Sequence, residues 1–378
     1  MRSKLPSKQR GLYLHQSEAE RKRSQHQKEP QLRGQQYFQQ RRYLHIRHSS
    51  GAQDKADGTK VEIAIGDDPE DPVFCISDIL PHIAQEQMKK PASDFIEAEK
   101  LDAVMACYPN VKNYEDPEKD KYSPGDGKKK VLEFLEKKYG ITEDDFASAE
   151  LELGPAGKAR YIGFDKTLVL GYGQDDRVCA YTSLIAMVEG KAGQRTNCCI
   201  LVDKEEIGSN GATGMNSHLL DNAVAEVVAR LDIKINPELA VRRALANSFM
   251  LSSDVNSAFD PLNAGLYDIY NSSFLSRGVV FNKYTGARGK SGASDANPEF
   301  IAKVRGKLYE NQVYFQNAEL AKVDTGGGGT IAHYAAEFGM NVLDCGVSVL
   351  SMHAPWEITS AFDIEQACKC YKSFLQLA

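Results

Sequence analysis

Three observations predict an α/β protein with a doubly wound, mostly parallel sheet. Apolar runs alternate with amphipathic helical patterns from about residue 165 to the end, which is typical of parallel strands joined by helices. The 378 residues suggest about two domains. Apolar residues make up 42% and charged residues 26%, which are the proportions of a globular protein. A smaller β-rich region is expected before the parallel sheet.

Residues 1–55 do not share the pattern of the rest. Residues 1–50 carry twelve Lys and Arg and three Glu, a charge of +9, whereas the other 328 residues carry 34 basic and 49 acidic side chains, a charge of −15. The segment lacks Asp, Asn, Val and Cys and has no sustained periodicity. We therefore expect a disordered basic tail. The alternatives are an arm that binds RNA or another polyanion, and a stretch foreign to the native protein, such as a misassigned start.

Residues 56–165 predict the β-rich domain. VEIAIG and PVFCISDIL are typical of strands, and SAELELGPAG alternates like a strand. Between them, residues 126–139 place Val131, Phe134 and Leu135 at helical spacing, and Gly140 follows as a stop signal.

Residues 166–378 predict the α/β domain, because each apolar run is followed by a helical pattern. The predicted strands are KTLVLGYG, NCCILVD, SFML, VYFQNAEL and NVLDCGVSVL, and the predicted helices are VCAYTSLIAMVEG, SHLLDNAVAEVVARL, residues 239–245, NPEFIAKVRGKLYENQ, GTIAHYAAEFG and residues 363–377.

Acidic or imidazole side chains follow four of these strands. They are Asp176 (after Asp175), the pair Glu205 and Glu206, Asp254 and His353. The carboxyl ends of strands form the active-site edge of an open α/β sheet, so these groups should meet there. Mixed oxygen and nitrogen ligands suit zinc, cobalt or manganese. Two adjacent Glu side chains cannot both point the same way in an extended segment, so one is expected to ligate and the other to act as general base.

Other motifs predict less. Gly286–Gly292 is similar to a phosphate loop but lacks the first Gly of that motif. Gly326–Gly329 precedes a predicted helix and fits either an anion cradle or a tight turn. His218 and His333 lie within helical patterns and are expected to be packing or surface residues.

Several function classes are excluded or disfavoured. The sequence contains no apolar stretch of about 18 residues, and its basic N-terminus has no apolar run behind it. The eight Cys have neither disulfide-framework nor zinc-finger spacing. We expect a cytoplasmic protein with reduced thiols, and neither membrane nor nucleic acid as partner.

From about Asp57 to the C-terminus the sequence resembles the aspartyl aminopeptidase and aminopeptidase I family of dinuclear metal aminopeptidases, and its bacterial branch most closely. The matching segments are GQDDRVCAYTSL, LVDKEEIGS, SSDVNSAFDP, DTGGGGTIA and SMHAPWE. The resemblance implies an inserted dimerisation domain over 56–165, the metallopeptidase domain over 166–378, two zinc ions per active site, peptide substrates and a homo-oligomer, from dimer to dodecamer.

The resemblance also implies roles for the strand-end residues. Asp176 would bridge the two metals, Glu205 would be the general base, and Glu206, Asp254 and His353 would be further ligands. The family pattern includes an upstream His-x-Asp motif that this chain lacks, since neither His45 nor His48 is followed by Asp two residues later. Eukaryotic relatives carry His at two positions that are here Ser257 and Asp260.

We therefore expect a metal-dependent aminopeptidase that is N-terminally incomplete and impaired in turnover. Two alternatives remain open. One is a non-catalytic metal-binding or oligomerisation product of the same fold, and the weaker one is a nucleic-acid-binding protein that uses the basic tail. RNA affinity that falls with salt and disappears when residues 1–50 are deleted would favour the latter.

Overall fold

The protein is described from a computed structural model, which covers residues 12–14, 44–47, 53–55, 57–107, 126–191, 193–286, 294–322, 324, 326–328 and 330–377. The chain divides into two compact units, Met1–Lys158 and Ala159–Ala378. This division falls a few residues before residue 165, because the strand Arg160–Ile162 pairs with the strand Leu168–Gly171 in the second unit.

The first unit is rich in short strands that pair in antiparallel fashion. Its strands are β1 (Leu12–Leu14), β2 (Leu44–Arg47), β3 (Gln53–Asp54), β4 (Lys60–Val61), β5 (Ala64–Ile65), β6 (Cys75–Ile76), β7 (Ala103–Ala106) and β8 (Glu152–Pro155). They form the sheets β1-β7-β6 and β5-β2-β8 and the pair β3-β4. The helices are α1 (Gln85–Met88) and α2 (Asp126–Tyr139), with 3-10 turns at Pro81–Ile83, Ala92–Asp94, Ala98–Lys100 and Asp144–Ser148.

A core of its own holds this unit together. Ile63 and Ile65 alternate with exposed neighbours and are buried, as the strand pattern predicts. Val131 and Leu135 point from α2 into the same core, whereas Phe134 is 49% exposed. The predicted helix over 126–139 is therefore confirmed. Of its three apolar residues at helical spacing, Val131 and Leu135 are buried and Phe134 is not.

Short segments of the predicted tail are strands, and the expectation of disorder over residues 1–55 as a whole stays a prediction. β1 pairs with β7, and β2 pairs with both β5 and β8. These backbone hydrogen bonds join segments that are far apart in the chain, so local periodicity could not reveal them. The rest of the tail lies outside the described residues.

The second unit carries two larger sheets and the longer helices. Its strands are β9 (Arg160–Ile162), β10 (Leu168–Gly171), β11 (Phe249–Ser252), β12 (Asn256–Ser257), β13 (Val279–Asn282), β14 (Phe315–Asn317), β15 (Asn341–Gly346), β16 (Ser348–Leu350) and β17 (Glu357–Ser360). Its helices are α3 (Gln174–Glu189), α4 (Leu219–Val228), α5 (Pro237–Ala246), α6 (Pro298–Glu310), α7 (Ala332–Glu337) and α8 (Ala361–Phe374), with 3-10 turns at Glu205–Ile207 and Pro261–Leu266.

Both sheets are mixed, which corrects the predicted mostly parallel arrangement. The orders are β12-β16-β17-β10-β9 and β11-β15-β13-β14. β11 and β15, β12 and β16, and β13 and β14 pair in parallel, whereas the other neighbours are antiparallel. A turn as short as 351–356 can join β16 to β17 only as antiparallel neighbours, because a parallel connection needs a longer crossover.

The predicted strand NCCILVD is not a strand in the described structure. Only Asp203 makes a bridge, to Gly214, and the segment pairs with no described strand. Leu201 is accordingly 53% exposed. The acidic pair Glu205 and Glu206 therefore follows an irregular segment rather than a strand.

The strands β15 and β16, which one residue separates, support the candidate site. Leu343 and Cys345 of β15, Val349 of β16 and Val347 between the two strands are buried. At the end of β15, Gly346 lies where an added Cβ would be 1.7 Å from the backbone oxygen of Asp254. Only Gly fits there, so this residue lets the segment after β11 carry Asp254 against the sheet.

None of the described helices combines the length and the apolar character that crossing a membrane would need.

Candidate metal centre

Asp175 and Asp176 lie where β10 passes into α3. Gly173 has φ +65°, a left-handed conformation that turns the chain sharply before the helix. Asp175 and Asp176 themselves have non-helical dihedral angles and are joined by a cis peptide bond. Regular helical geometry begins only after these two residues. Both carboxylates therefore lie in the turn that precedes the regular part of α3, and not on a helix face.

Three side chains converge in a first cluster, formed by Asp175, Glu206 and His353. The Nε2 atom of His353 lies 2.8 Å from Oδ2 of Asp175 and 3.1 Å from Oε1 of Glu206. One ligand atom from each residue lies within 4.8 Å of the other two. The Asp175 side chain is 9% exposed, but those of His353 and Glu206 are about 40% exposed, so the cluster opens to solvent on one side.

A second cluster shares Asp175 and adds Asp176 and Asp254. Ligand atoms of these three carboxylates also lie within 4.8 Å of one another. The Oδ1 atom of Asp176 is buried and has no hydrogen-bond partner in the described structure. A buried carboxylate oxygen without a donor is costly, and a cation is the partner that would satisfy it. One imidazole and several carboxylate oxygens form a donor set that fits zinc, cobalt or manganese.

Glu205 lies beside these clusters but belongs to neither. It begins the 3-10 turn Glu205–Ile207, which Lys204 at φ +69° and Gly208 at φ +93° bound on either side. Burial, followed by the nearby charges of Glu206 and Asp175, raises the pKa of Glu205 to about 7. A carboxylate whose pKa lies near 7 can both accept and return a proton at physiological pH.

Crowded negative charge shapes the protonation of the remaining groups. Burial first, and then neighbouring carboxylates, raise the pKa values of Asp176 and Asp254 well above the ordinary range. Hydrogen bonding of the His353 imidazole to the accepting carboxylates of Asp175 and Glu206 raises the pKa of His353 to about 11. The imidazolium form of His353 is thus stabilised by the carboxylates that surround it.

The structure brings together all five residues that the sequence singles out, namely Asp176, Glu205, Glu206, Asp254 and His353, and adds Asp175. Only the Asp175 carboxylate belongs to both clusters, whereas the bridging role of Asp176 that the resemblance implies stays a prediction. The doubled Asp in GQDDR was the available signal. Adjacent side chains diverge, and the sequence alone does not tell which one faces a shared centre.

The other motifs are accounted for locally where they are described. An added Cβ at Gly326 would lie 2.2 Å from the backbone oxygen of Leu320, so this part of the glycine run is a tight turn. His218 pairs with Asp221, and Nδ1 of His333 lies 2.9 Å from the backbone oxygen of Thr330. Most of the loop Gly286–Gly292 lies outside the described residues, as does the side chain of His45 and all of His48.

Ser257 and Asp260, which replace His residues of eukaryotic relatives, have structural partners. The Ser257 hydroxyl lies 3.1 Å from that of Tyr267. The Asp260 carboxylate accepts the Leu262 N–H at 2.9 Å and so caps the turn Pro261–Leu266.

Comparison with known proteins identifies one family. A family model described as "Aminopeptidase I zinc metalloprotease (M18)" matches residues 52–375. A probable M18 family aminopeptidase 1 of Clostridium acetobutylicum is 52% identical over 321 residues, which is 85% of this chain and 67% of the relative.

Solved structures give the same result. The crystal structure of aminopeptidase I from C. acetobutylicum superposes with a TM-score of 0.78 at 50% identity, over 88% of this chain and 69% of that one. An M18 aminopeptidase from Thermotoga maritima superposes with a TM-score of 0.79 at 40% identity, over 89% of this chain and 71% of that one. A structure titled as a dodecamer of mApe1 from Saccharomyces cerevisiae shares the fold. It superposes with a TM-score of 0.58 at 20% identity, over 88% of this chain and 67% of that one. With a family model that spans most of its length and a relative at 52% identity, the chain belongs to the M18 family of zinc metalloprotease aminopeptidases.

Proposed function

We propose that this chain hydrolyses the N-terminal peptide bond of peptides with zinc held by Asp175, Glu206 and His353. The observation that carries the proposal is the convergence of the His353 Nε2 atom with two carboxylate oxygens, at 2.8 and 3.1 Å. These are the ligand types of catalytic zinc sites, in which three protein ligands leave a further position open. The solvent-facing side of the cluster is where a peptide would enter.

A second zinc ion would share Asp175 and use Asp254 and Asp176. The cluster of these three carboxylates supports this assignment, and so does the unpartnered Oδ1 atom of Asp176. We assign the bridging role to Asp175 rather than Asp176, since the Asp175 carboxylate faces both sets of ligand atoms. An all-carboxylate set holds zinc less tightly than one that includes an imidazole. Cobalt or manganese would be accommodated by the same oxygens.

Glu205 is the proposed general base. Zinc, when bound, polarises the scissile carbonyl and lowers the pKa of water. The Glu205 carboxylate takes a proton from the attacking water and returns it to the nitrogen of the departing amine. Its pKa of about 7 suits both transfers. The carboxylates around it also form an acidic surrounding that attracts the positively charged amino terminus of a peptide.

A non-catalytic, metal-binding role is the alternative, and one observation favours it. The second cluster offers no imidazole among the described residues, so a second zinc ion would be held weakly. On this reading the chain binds about one zinc ion tightly and turns over slowly.

We also propose that it assembles as a homo-oligomer, which light scattering of the purified chain would measure.

Activity and metal content measured together test the proposal. The purified chain is loaded with zinc, dialysed and assayed against chromogenic substrates with acidic and with apolar N-terminal residues. Retained zinc with release of the N-terminal residue supports the proposed activity. Retained zinc without any release, at high enzyme concentration and over hours, favours the non-catalytic alternative. Failure to retain zinc contradicts both.

A further inference from the structure

One buried carboxylate links two of the three backbone segments that carry the proposed zinc ligands. Glu357 begins β17, is 2% exposed, and pairs with Gly171 across the sheet. Its Oε2 atom accepts the Asp175 N–H at 3.0 Å, and its Oε1 atom accepts the His353 N–H at 2.7 Å. Asp175 and His353 are far apart in the chain, yet their side chains meet at 2.8 Å. The Glu357 side chain thus connects the backbone of Asp175 with the backbone of His353 through two hydrogen bonds.

Both segments need such support, because neither belongs to regular structure at the point of contact. Ser351 and His353 have φ values of +58° and +63°, a left-handed conformation that non-glycine residues adopt at a cost. Asp175 has φ −82° and ψ 107° and so lies outside the helix geometry that follows it. Surrounding contacts must therefore hold these conformations, and the Glu357 carboxylate contacts both.

We propose that Glu357 is a positioning residue, which sets the spacing between the ligand atoms of Asp175 and His353 by fixing their two backbone amides. This inference rests on the proposed zinc site at Asp175, Glu206 and His353. Glu357 has no atom in that site and would act only through the residues it holds. Supporting residues of this kind typically affect metal affinity by about 10- to 100-fold.

A second carboxylate in the same unit provides a matched control. Asp363 is fully buried, and its two oxygens accept the N–H groups of Ser276 and Gly278 at 2.7 and 2.6 Å. It has the same chemistry as Glu357, a buried carboxylate that joins two backbone amides, but neither amide belongs to a proposed ligand. Substitution of Asp363 therefore reports the purely structural consequence of losing such a bridge.

The test compares Glu357→Gln with Asp363→Asn. A carboxamide keeps one acceptor and replaces the other with an NH₂ group, so one backbone amide loses its partner in each variant. Zinc affinity is measured by competition with a chromogenic chelator. The only Trp of the chain, Trp356, directly precedes Glu357, so acrylamide quenching of its fluorescence reports the order of the turn without any metal.

The expected result is a zinc Kd weakened about 10- to 100-fold in Glu357→Gln, with stronger quenching of Trp356. In Asp363→Asn we expect both quantities to match those of the parent, whatever the loss of thermal stability. Should Glu357→Gln fail to fold, Glu357→Asp serves instead, because a side chain shorter by one methylene cannot reach both amides.

Three contrary outcomes are distinguishable. A parent chain that retains no zinc overturns the proposed function, and this inference with it. A parent that binds zinc and a folded Glu357 variant that binds it equally tightly overturn the inference alone. A loss of zinc affinity as large in Asp363→Asn as in Glu357→Gln would also overturn it, since the effect would then be general destabilisation.

Discussion

Replacing Glu205 with Gln separates the general base from the zinc ligands. The substitution keeps the size of the side chain and removes its ability to accept a proton. Glu205 belongs to neither ligand cluster, so zinc content should be unchanged. One negative charge is also lost, and the Glu205 charge is among the causes that raise the pKa values of Asp176 and Asp254. Those two carboxylates should therefore ionise somewhat more readily in the variant.

The size and pH dependence of the effect follow from the role. Loss of a general base costs about 10²- to 10⁴-fold in kcat, or roughly 3–5 kcal/mol of transition-state stabilisation. The base works only when deprotonated, so parent kcat should rise with pH. The midpoint should lie at or below about 7, because the pKa of about 7 applies to the metal-free site and a bound cation would lower it. The variant should lack this rise.

The assay measures kcat with a chromogenic aminoacyl substrate, and zinc per chain by atomic emission on the same samples. Glu226→Gln is the control, since Glu226 is exposed and pairs only with Arg230 among the ion pairs described. Loss of zinc from Glu205→Gln would make Glu205 a ligand and exchange its role with that of Glu206. Unchanged kcat with unchanged zinc would refute the assignment of the base.

Three further predictions concern the metal. His353→Ala should lose zinc on dialysis, because only two carboxylates then remain in the first cluster, whereas alanine at the exposed His218 should not; equal zinc content in both would refute the ligand set. Zinc binding should release protons and tighten by about tenfold per pH unit for each proton displaced, since the pKa of His353 is about 11 in the metal-free protein. Calorimetry in buffers of different ionisation enthalpy measures this release, and its absence would mean that His353 keeps its proton. Turnover of the zinc-loaded chain should stay below about 1 per second, because the second cluster lacks an imidazole; an ordinary rate would show that a residue outside the described part supplies the ligand.

The site was more predictable from the sequence than the sheet that carries it. Polar residues after successive apolar runs pointed to Glu205, Glu206, Asp254 and His353, because ends of strands tend to meet at one edge. The direction of the strands was not predictable in the same way. It depends on connections such as the short turn 351–356, and hydrophobic periodicity contains no information about which neighbour a strand will pair with.

One residue of the site and one residue that supports it escaped sequence reasoning, for different reasons. Asp175 was visible but ambiguous, because the side chains of adjacent residues diverge and only the fold decides which faces the centre. Glu357 gave no signal, since a Glu at the start of a strand is usually a solvated residue. Its burial becomes visible only in the fold, where it pairs with Gly171 across the sheet and its carboxylate accepts the backbone N–H groups of Asp175 and His353.

Anomalous diffraction at the zinc absorption edge, from crystals of the zinc-loaded chain, tests the central claim most directly. The account predicts a strong zinc peak within coordination distance of the His353 Nε2 atom and of carboxylate oxygens of Asp175 and Glu206, at about 2.0–2.2 Å. A second, weaker peak is expected between Asp175 and Asp254. A zinc peak that lies away from Asp175, or no peak above background at His353, would contradict the account.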